Sequence, residues 1–429
     1  MFGFFFSTER KTRGNAGDWL QLADKILHYR RDQLTGAQAQ ELRQKTADLR
    51  IKLKQRADAG KLKLGIEALE GLLQQVGGTF YPKSAVVENV EFFLVAAIIV
   101  LGIRTYFLQP FKIPTNSMWP SYYGMTPQVF KERAEEPGVL AMGARLLAFG
   151  ARPHRLDAPA DGEVLIPLGG SESRGAVHSQ IVAGQSWLVI PTKVREYTLL
   201  VGGEPTKVRV PLDFDFDWLV FDAYFSKGEG YSPESFYGEL RRRVNAGEFE
   251  DHVVDGETVR CIRTGRRVHA GDRVLAFDVL TGDQLFVDRF SYHFVRPSVG
   301  SGFVFRTGNI PKIVETYGDQ YYVKRLVGEP GDTLEIKSYR LYRNGGPITG
   351  AAAFEKNAHR DGDYVGYRNV GALAAGNTMT VPPHAFLALG DNSANSADGR
   401  YWGFVPEKDV IGRPLFIYYP FSLRWGPAR

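Results

Sequence analysis

The chain reads Phe111-Lys-Ile-Pro-Thr-Asn-Ser-Met-Trp-Pro-Ser121 a few residues after its only long apolar segment. A second stretch, Tyr322-Val-Lys-Arg-Leu-Val-Gly-Glu-Pro-Gly-Asp332, places a lysine inside an apolar run. A serine hydroxyl is a weak nucleophile at neutral pH and needs a base within hydrogen-bond reach. The two stretches therefore predict one site in which Ser117 is paired with Lys324.

Lysine is the base that the sequence favours. The chain has eight histidines, and none lies in a G-x-S-x-G or similar triad motif. A lysine serves as a base only when neutral, and its ordinary pKa leaves roughly one part in a thousand neutral near pH 7.4. Strand alternation places Lys324 on the face of Tyr322 and Leu326, an apolar setting that lowers a lysine pKa. Because an isolated strand lysine is usually a surface residue, the assignment depends on Ser117.

The charge distribution argues against nucleic acid as a partner. The net charge of +5 is concentrated before residue 86, where 15 basic residues face 9 acidic ones, and the remaining chain is nearly neutral. A nucleic-acid-binding domain is expected to carry its basic charge on the folded domain together with a recognisable motif.

Cys261 is the only cysteine, which excludes an intramolecular disulfide and a CxxC site.

The apolar segment from Val86 to Leu108 raises the question of a membrane span. Its uncharged core, residues 92–103, is 12 residues long and fits a buried helix as well as a span. Extended to Leu108, a helix from residue 92 reaches about 25 Å if Arg104 snorkels to the interface. We interpret residues 86–108 as an uncleaved signal anchor, with the basic side in the cytoplasm and later residues outside. A core helix of a soluble domain is the alternative.

The regions on either side of this segment differ in secondary structure. Residues 1–85 predict a basic cytoplasmic helical region, in which residues 16–76 lack proline and show apolar residues at helical spacing. Thr35-Gly36 predicts a break and a cap, and hence a helical hairpin or a coiled coil. After Gly124, short β-type runs alternate with turn residues, with one helical interruption at 233–245. The exported part is predicted to be mainly β.

A third polar cluster reads Gly390-Asp-Asn-Ser-Ala-Asn-Ser-Ala-Asp-Gly-Arg400. Such residues favour turns, so a plain loop is the simplest interpretation. An EF-hand starting at Asp391 would need glycine at its sixth position and an acidic residue at its twelfth, where Ser396 and Trp402 stand. The sequence predicts neither a metal nor a cofactor.

Together the three clusters resemble type I signal peptidases, membrane-anchored Ser-Lys endopeptidases that remove signal peptides from exported proteins. The family box Pro-Ser-x-Ser-Met-x-Pro is matched at 114–120, Lys-Arg-x-x-Gly-x-Pro-Gly-Asp at 324–332, and Gly-Asp-Asn…Ser-x-Asp-x-Arg at 390–400. The order of the boxes and their position after the apolar segment make the resemblance specific. It covers roughly 101–124 and 282–425, less than half of the chain.

The resemblance implies a role for each matching residue. Ser117 would be the nucleophile, and Lys324 the general base that takes its proton and returns one to the leaving amine. Ser396 would orient the lysine ammonium, and Asp398 and Arg400 would brace that loop.

The resemblance also implies how the substrate is held. The backbone N–H of Ser117 and the hydroxyl of Thr115 would form the oxyanion hole. Shallow apolar pockets for the small residues of Ala-x-Ala cleavage sites would be lined by four residues, namely Ile113, Met118, Tyr322 and Val323. Tyr322 and Val323 would also pair with the extended substrate as an added strand.

The chain departs from the family pattern at several positions. Asn116 stands where glycine is common, Ser121 where threonine is common and Gly399 where serine is common. These departures concern the geometry of the loops, since both members of the Ser-Lys pair are present.

The largest departure is an insertion. In the family, the serine box runs almost directly into a strand that corresponds here to Gly282-Asp-Gln-Leu-Phe-Val287. We therefore divide the exported part into a signal-peptidase-like catalytic domain of twisted antiparallel sheets, residues 109–124 and 282–429, and a β-rich insert, residues 125–281. Our hypothesis is that the insert contacts substrate, an envelope partner or the translocation machinery.

The resemblance implies a single-pass protein of the bacterial cytoplasmic membrane with its catalytic domain on the extracytoplasmic side. Its partners would be the signal peptides of exported preproteins, the lipid bilayer and the translocation machinery. Two alternatives remain: a different Ser-Lys protease of the self-cleaving repressor type, and a membrane-anchored envelope binding or assembly protein that retains the fold.

Overall fold

The computed structural model describes residues 8–82, 85–169, 175–186, 190–226 and 230–428. The chain divides into two compact units, Met1–Val100 and Leu101–Arg429.

The described residues of the first unit begin with three packed helices, α1 (Thr8–Tyr29), α2 (Gly36–Lys54) and α3 (Ala59–Val76). Thr35 caps α2 through a capping box, as its position predicts. The expected hairpin is wrong in the number of helices, because a second break precedes α3. There Arg56 adopts a positive φ of 52° and Asp58 caps the new helix by accepting from the Lys61 N–H. No glycine or proline marks this break in the sequence.

The apolar segment forms helix α4 (Ala85–Tyr106). Within Val86–Tyr106 an 18-residue window has a mean hydropathy of 2.2, and the segment is long and apolar enough to cross a membrane, judged by length and composition alone. The helix ends two residues earlier than predicted. Leu108 belongs to the first strand instead, where its backbone pairs with Asp288, so the prediction that placed Leu108 in the helix is wrong.

The second unit contains most of the regular structure. Its strands up to residue 280 are β1 (Leu108–Lys112), β2 (Thr126–Val129), β3 (Arg152–Asp157), β4 (Gly162–Pro167), β5 (Ser179–Ser186), β6 (Ile190–Val201), β7 (Glu204–Pro211), β8 (Phe249–Val254), β9 (Glu257–Val268) and β10 (Arg273–Leu280). The later strands are β11 (Gln284–Asp288), β12 (Gly302–Arg306), β13 (Tyr321–Gly328), β14 (Thr333–Lys337), β15 (Arg340–Arg343), β16 (Gly346–Pro347), β17 (Met379–Thr380), β18 (Ala385–Leu389), β19 (Val405–Pro406), β20 (Val410–Tyr419) and β21 (Gly426–Pro427). The helices are α5 (Val139–Phe149), α6 (Phe216–Val220), α7 (Pro233–Asn245), α8 (Pro311–Tyr317), α9 (Ala352–His359) and α10 (Gly399–Trp402).

The main sheet connects the two stretches that carry Ser117 and Lys324. Within the described residues it has the strand order β1-β11-β20-β12-β13-β18-β19, with β21 beside β20, and the pairings are antiparallel. A smaller sheet has the order β16-β15-β14-β17. The prediction of a mainly β fold of antiparallel sheets, preceded by helices and one apolar helix, is confirmed.

Residues 125–281 form their own sheets. Strands β2, β10 and β3 make one sheet, and β4 to β9 make another. One hydrophobic cluster extends from Met125 to Val279 and draws its buried members from these residues. Helix α7 has the predicted limits, whereas α5 and α6 were not predicted. The division of this unit into domains stays a prediction.

Candidate active site

The loop that carries Ser117 is closed tightly on itself. It follows edge strand β1, and the side chain of Asn116 joins its two ends by donating to the Met125 carbonyl at 2.8 Å and accepting from the Gly124 N–H at 3.0 Å. A Cβ atom on Gly124 would lie 2.2 Å from the carbonyl carbon of Thr115. Asparagine in place of the common glycine at 116 therefore adds a tie within the loop.

Strand β13 places Lys324 next to this loop. Its Nζ lies 2.5 Å from Oγ of Ser117, and the side chain is almost wholly buried, with 4% of the residue exposed. Burial lowers the pKa of Lys324 from 10.5 to about 8, while the negative charge of Asp398 acts in the opposite direction. Nζ also lies 5.6 Å from the centre of the Tyr322 ring. A lysine with this pKa is neutral in a substantial fraction of molecules near neutral pH.

The third cluster is held by a buried ion pair. Asp398 accepts from Nε of Arg400 at 2.8 Å and from the Gly390 N–H at 2.9 Å. Arg400 also donates to the Ser393 hydroxyl at 2.6 Å. Both charged side chains are fully buried. These contacts hold the loop at both of its ends. The resemblance assigns this bracing role to Asp398 and Arg400.

The loop brings Ser396 close to the Ser117 backbone without giving its hydroxyl a partner. Gly390 lies between them, since a Cβ atom there would be 2.2 Å from Oγ of Ser396 and 2.4 Å from the carbonyl oxygen of Ser117. Ser396 is buried, and its Oγ makes no hydrogen bond to any described residue. The hydrogen bond expected between the Lys324 ammonium and Oγ of Ser396 is therefore not formed in this structure.

A second buried ion pair lies beside this site, and the sequence analysis did not predict it. Arg325 donates to the two carboxylate oxygens of Asp391 at 2.7 and 2.5 Å, and its third nitrogen donates to the Gly300 carbonyl at 2.7 Å. The Ser121 hydroxyl donates to the same carboxylate at 2.5 Å. The position of Arg325 next to Lys324, and of Asp391 in the third cluster, was the signal available. A serine at 121 suffices because the contact needs only a hydroxyl.

The residues predicted to contact substrate divide into two groups. Ile113 and Met118 are buried in a core cluster and expose almost no surface. Tyr322 and Val323 are partly exposed at the start of β13, and Thr115 is partly exposed in the serine loop. Of the four residues predicted to line the substrate pockets, only Tyr322 and Val323 on β13 thus present appreciable surface to solvent.

The described part of the chain offers no cluster of potential metal ligands. Among residues 8–82, 85–169, 175–186, 190–226 and 230–428, no three His, Cys, Asp or Glu side chains are grouped so that they could hold a metal ion.

Known signal peptidases are similar in sequence to part of this chain. The model of the family "Signal peptidase, peptidase S26" matches residues 275–419. The chain is 34% identical over 148 residues to the probable signal peptidase I-1 of Synechocystis sp., which is 34% of this chain and 66% of the relative. It is 32% identical over 140 residues to signal peptidase I of Leptolyngbya laminosa, covering 33% of this chain and 62% of the relative.

A third relative and a solved structure agree in name. Signal peptidase IB of Staphylococcus aureus is 33% identical over 125 residues, which is 28% of this chain and 65% of the relative. A crystal structure of signal peptidase I from Enterococcus faecalis V583 is 28% identical and covers 28% of this chain and 97% of that chain, with a TM-score of 0.21. The chain spans less than two thirds of the length of each of the three relatives.

Proposed function

We propose that the chain is a type I signal peptidase, because the model of peptidase family S26 matches residues 275–419 and signal peptidases are similar to it in sequence, and that it removes N-terminal signal peptides from exported preproteins. It is a serine endopeptidase that cleaves after small residues through an acyl-enzyme. The observation that carries the proposal is the 2.5 Å contact between Ser117 Oγ and Lys324 Nζ, together with the burial of that lysine.

The reaction begins with neutral Lys324 taking the proton of the Ser117 hydroxyl. Oγ then attacks the scissile carbonyl carbon, and the N–H of Ser117 with the hydroxyl of Thr115 stabilises the oxyanion. The ammonium of Lys324 returns a proton to the leaving amine as the C–N bond breaks. Water, deprotonated by the same lysine, hydrolyses the ester and restores Ser117. Once substrate has entered, the unpartnered hydroxyl of Ser396 forms a hydrogen bond with Nζ of Lys324 and so orients the lysine.

The substrate lies as an extended strand along the start of β13. This strand pairs with β12 along residues 321–325, whereas its pairing with β18 begins only at Arg325. The backbone edge at Val323 is therefore open to the preprotein main chain, and strand addition supplies affinity with little sequence requirement. The small residues of the cleavage site would lie against a surface with little room for larger side chains, since Ile113 and Met118 are buried in a core cluster.

The order of elements along the sequence favours a membrane-anchored enzyme. Helix α4 anchors the protein once in the bacterial cytoplasmic membrane, with the catalytic domain on the extracytoplasmic side and the basic helices in the cytoplasm. Ser117 follows the end of α4 at Tyr106 by a short strand and loop. A cleavage site just outside the bilayer would thus meet a serine that is also just outside. Lipid and the translocation machinery are the accompanying partners.

The test is cleavage of a model preprotein in detergent or lipid by the wild type, Ser117→Ala and Lys324→Ala. Both substitutions should abolish cleavage, because each removes one member of the pair. Lys337→Ala, which removes an exposed lysine paired with Glu335, is the matched control and should cleave normally. An inert wild type would favour a binding or assembly role instead, and normal cleavage by either dyad variant would refute the assigned mechanism.

A further inference from the structure

The insert reaches the serine loop through an aromatic contact. Trp218 of α6 packs edge-on against Trp119, with ring centroids 5.0 Å apart and an interplanar angle of 84°. Trp119 lies two residues after Ser117 and also packs against Tyr123 on the same loop, at 3.9 Å between centroids. A residue of the insert therefore covers the aromatic side of the loop that carries the serine.

A second contact reaches the loop of the third cluster. Asp215 accepts a hydrogen bond of 3.0 Å from Nδ2 of Asn395, the residue before Ser396. The carboxylate of Asp215 is itself fixed, because it caps α6 by accepting from the Trp218 N–H and accepts from the Tyr231 hydroxyl. A rigid acceptor from the insert thus holds the second active-site loop.

A third and weaker link lies beside the second. Glu234 of the insert is 3.7 Å from Nε of Arg368, and the carbonyl of Arg368 accepts from Arg400 at 3.1 Å. Both members of this ion pair are partly exposed, so its own energetic contribution is small. It extends the same line of contact to the bracing pair of the third cluster.

Helix α6 separates these contacts from ordinary core packing. Phe216, Leu219 and Val220 are buried in the hydrophobic cluster of the insert. Asp215, the N-cap residue before α6, and Trp218 instead make the contacts to the two loops. The buried residues of α6 thus pack within the insert, whereas Asp215 and Trp218 contact both the insert and the two loops of the candidate active site.

We propose that Asp215 and Trp218 are positioning residues, through which the insert holds the Ser117 loop and the Ser396 loop in register around Lys324. The proposal rests on the proposed function and assigns the insert a role in it. Neither residue touches the reacting atoms, so each acts through Asn395 or Trp119. Irregular loops are the mobile parts of a fold, and a misplacement of about 1 Å at a catalytic pair costs about a hundredfold in rate.

The experiment compares Trp218→Leu and Asn395→Ala with the wild type in full-length protein on a model preprotein. We expect kcat to fall about tenfold to a hundredfold, with KM changed less than about twofold. Loosening the loops also admits water to Lys324 and raises its pKa, so the rising limb of the pH profile should move to higher pH. Asp215→Asn offers one acceptor oxygen in place of two, so it cannot accept from both Asn395 and the Trp218 N–H, and its kcat should also fall. Tyr237→Leu changes an exposed aromatic residue of the same insert and is the control.

The outcomes separate this proposal from the proposed function. If the wild type cleaves and both variants keep its kcat and its pH limb, the positioning role is refuted and the protease assignment stands. A rise in KM with unchanged kcat would also refute it, because the contacts would then serve substrate binding. An inert wild type refutes the proposed function itself. Thermal unfolding checks that Trp218→Leu folds, and Asn395→Ala, which removes a single loop hydrogen bond, gives the answer if it does not.

Discussion

Replacing Lys324 with methionine should abolish cleavage and make the folded protein more stable at neutral pH. Methionine has a similar length and no charge, whereas the lysine is 4% exposed with its pKa lowered from 10.5 to about 8 by burial. Because the folded-state pKa lies below the unfolded value, the unfolded chain binds more protons over the interval between them. Stability of the wild type therefore rises with pH through that interval.

The magnitude follows from the size of the pKa change. At about 1.4 kcal/mol per pKa unit, burial of the ammonium costs about 3 kcal/mol, and the whole cost applies below the folded-state pKa. The variant also loses the hydrogen bond to Ser117, worth about 1 kcal/mol. We expect Lys324→Met to be more stable by about 2 kcal/mol at pH 7. At about pH 10 most of the cost has gone, and the two proteins should have nearly equal stability.

The assay is denaturant unfolding of both proteins at pH 7 and pH 10, combined with preprotein cleavage. Lys337→Met, at a lysine with 59% of its side chain exposed, corrects for the general effect of removing a lysine. A Met variant that is less stable than wild type at pH 7, or a difference that does not shrink as the pH rises, would refute the argument from burial. The wild-type pH profile of kcat/KM should rise with a midpoint near the pKa of Lys324, about 8.

Three further predictions concern other parts of the chain. Gly390→Ala places a Cβ atom 2.2 Å from one active-site serine and should reduce cleavage about a hundredfold, while Gly346→Ala, with its nearest atom at 3.8 Å, should cleave normally. Asp391→Asn leaves the buried guanidinium of Arg325 without its anion and should lower the free energy of unfolding by about 3 to 5 kcal/mol, measured in urea. Thr35→Ala removes the capping box of α2 and should cost about 1 kcal/mol, seen in thermal unfolding with cleavage unchanged.

Local pattern was sufficient for the long periodic elements. The strand over 321–327, the helix at 233–245 and the cap at Thr35 could be read from alternation, spacing and capping residues. The break before α3 was missed because Arg56 takes its positive φ without a glycine. Helix α6 was missed because five residues are too few to show a helical period.

The sequence by itself determined which residues could perform the chemistry: a serine without a suitable histidine, a lysine in an apolar strand, and a polar turn cluster. Ser117 and Lys324 are 207 positions apart, and no local pattern brings them together. The order β1-β11-β20-β12-β13 does so, by joining the two stretches through one sheet. Only the tertiary structure decided the burial of Lys324, the Arg325–Asp391 pair and the contacts from the insert. The physical reason is that secondary-structure preference acts over a few neighbours, whereas burial, and with it the pKa of a lysine, depends on every segment that packs around the site.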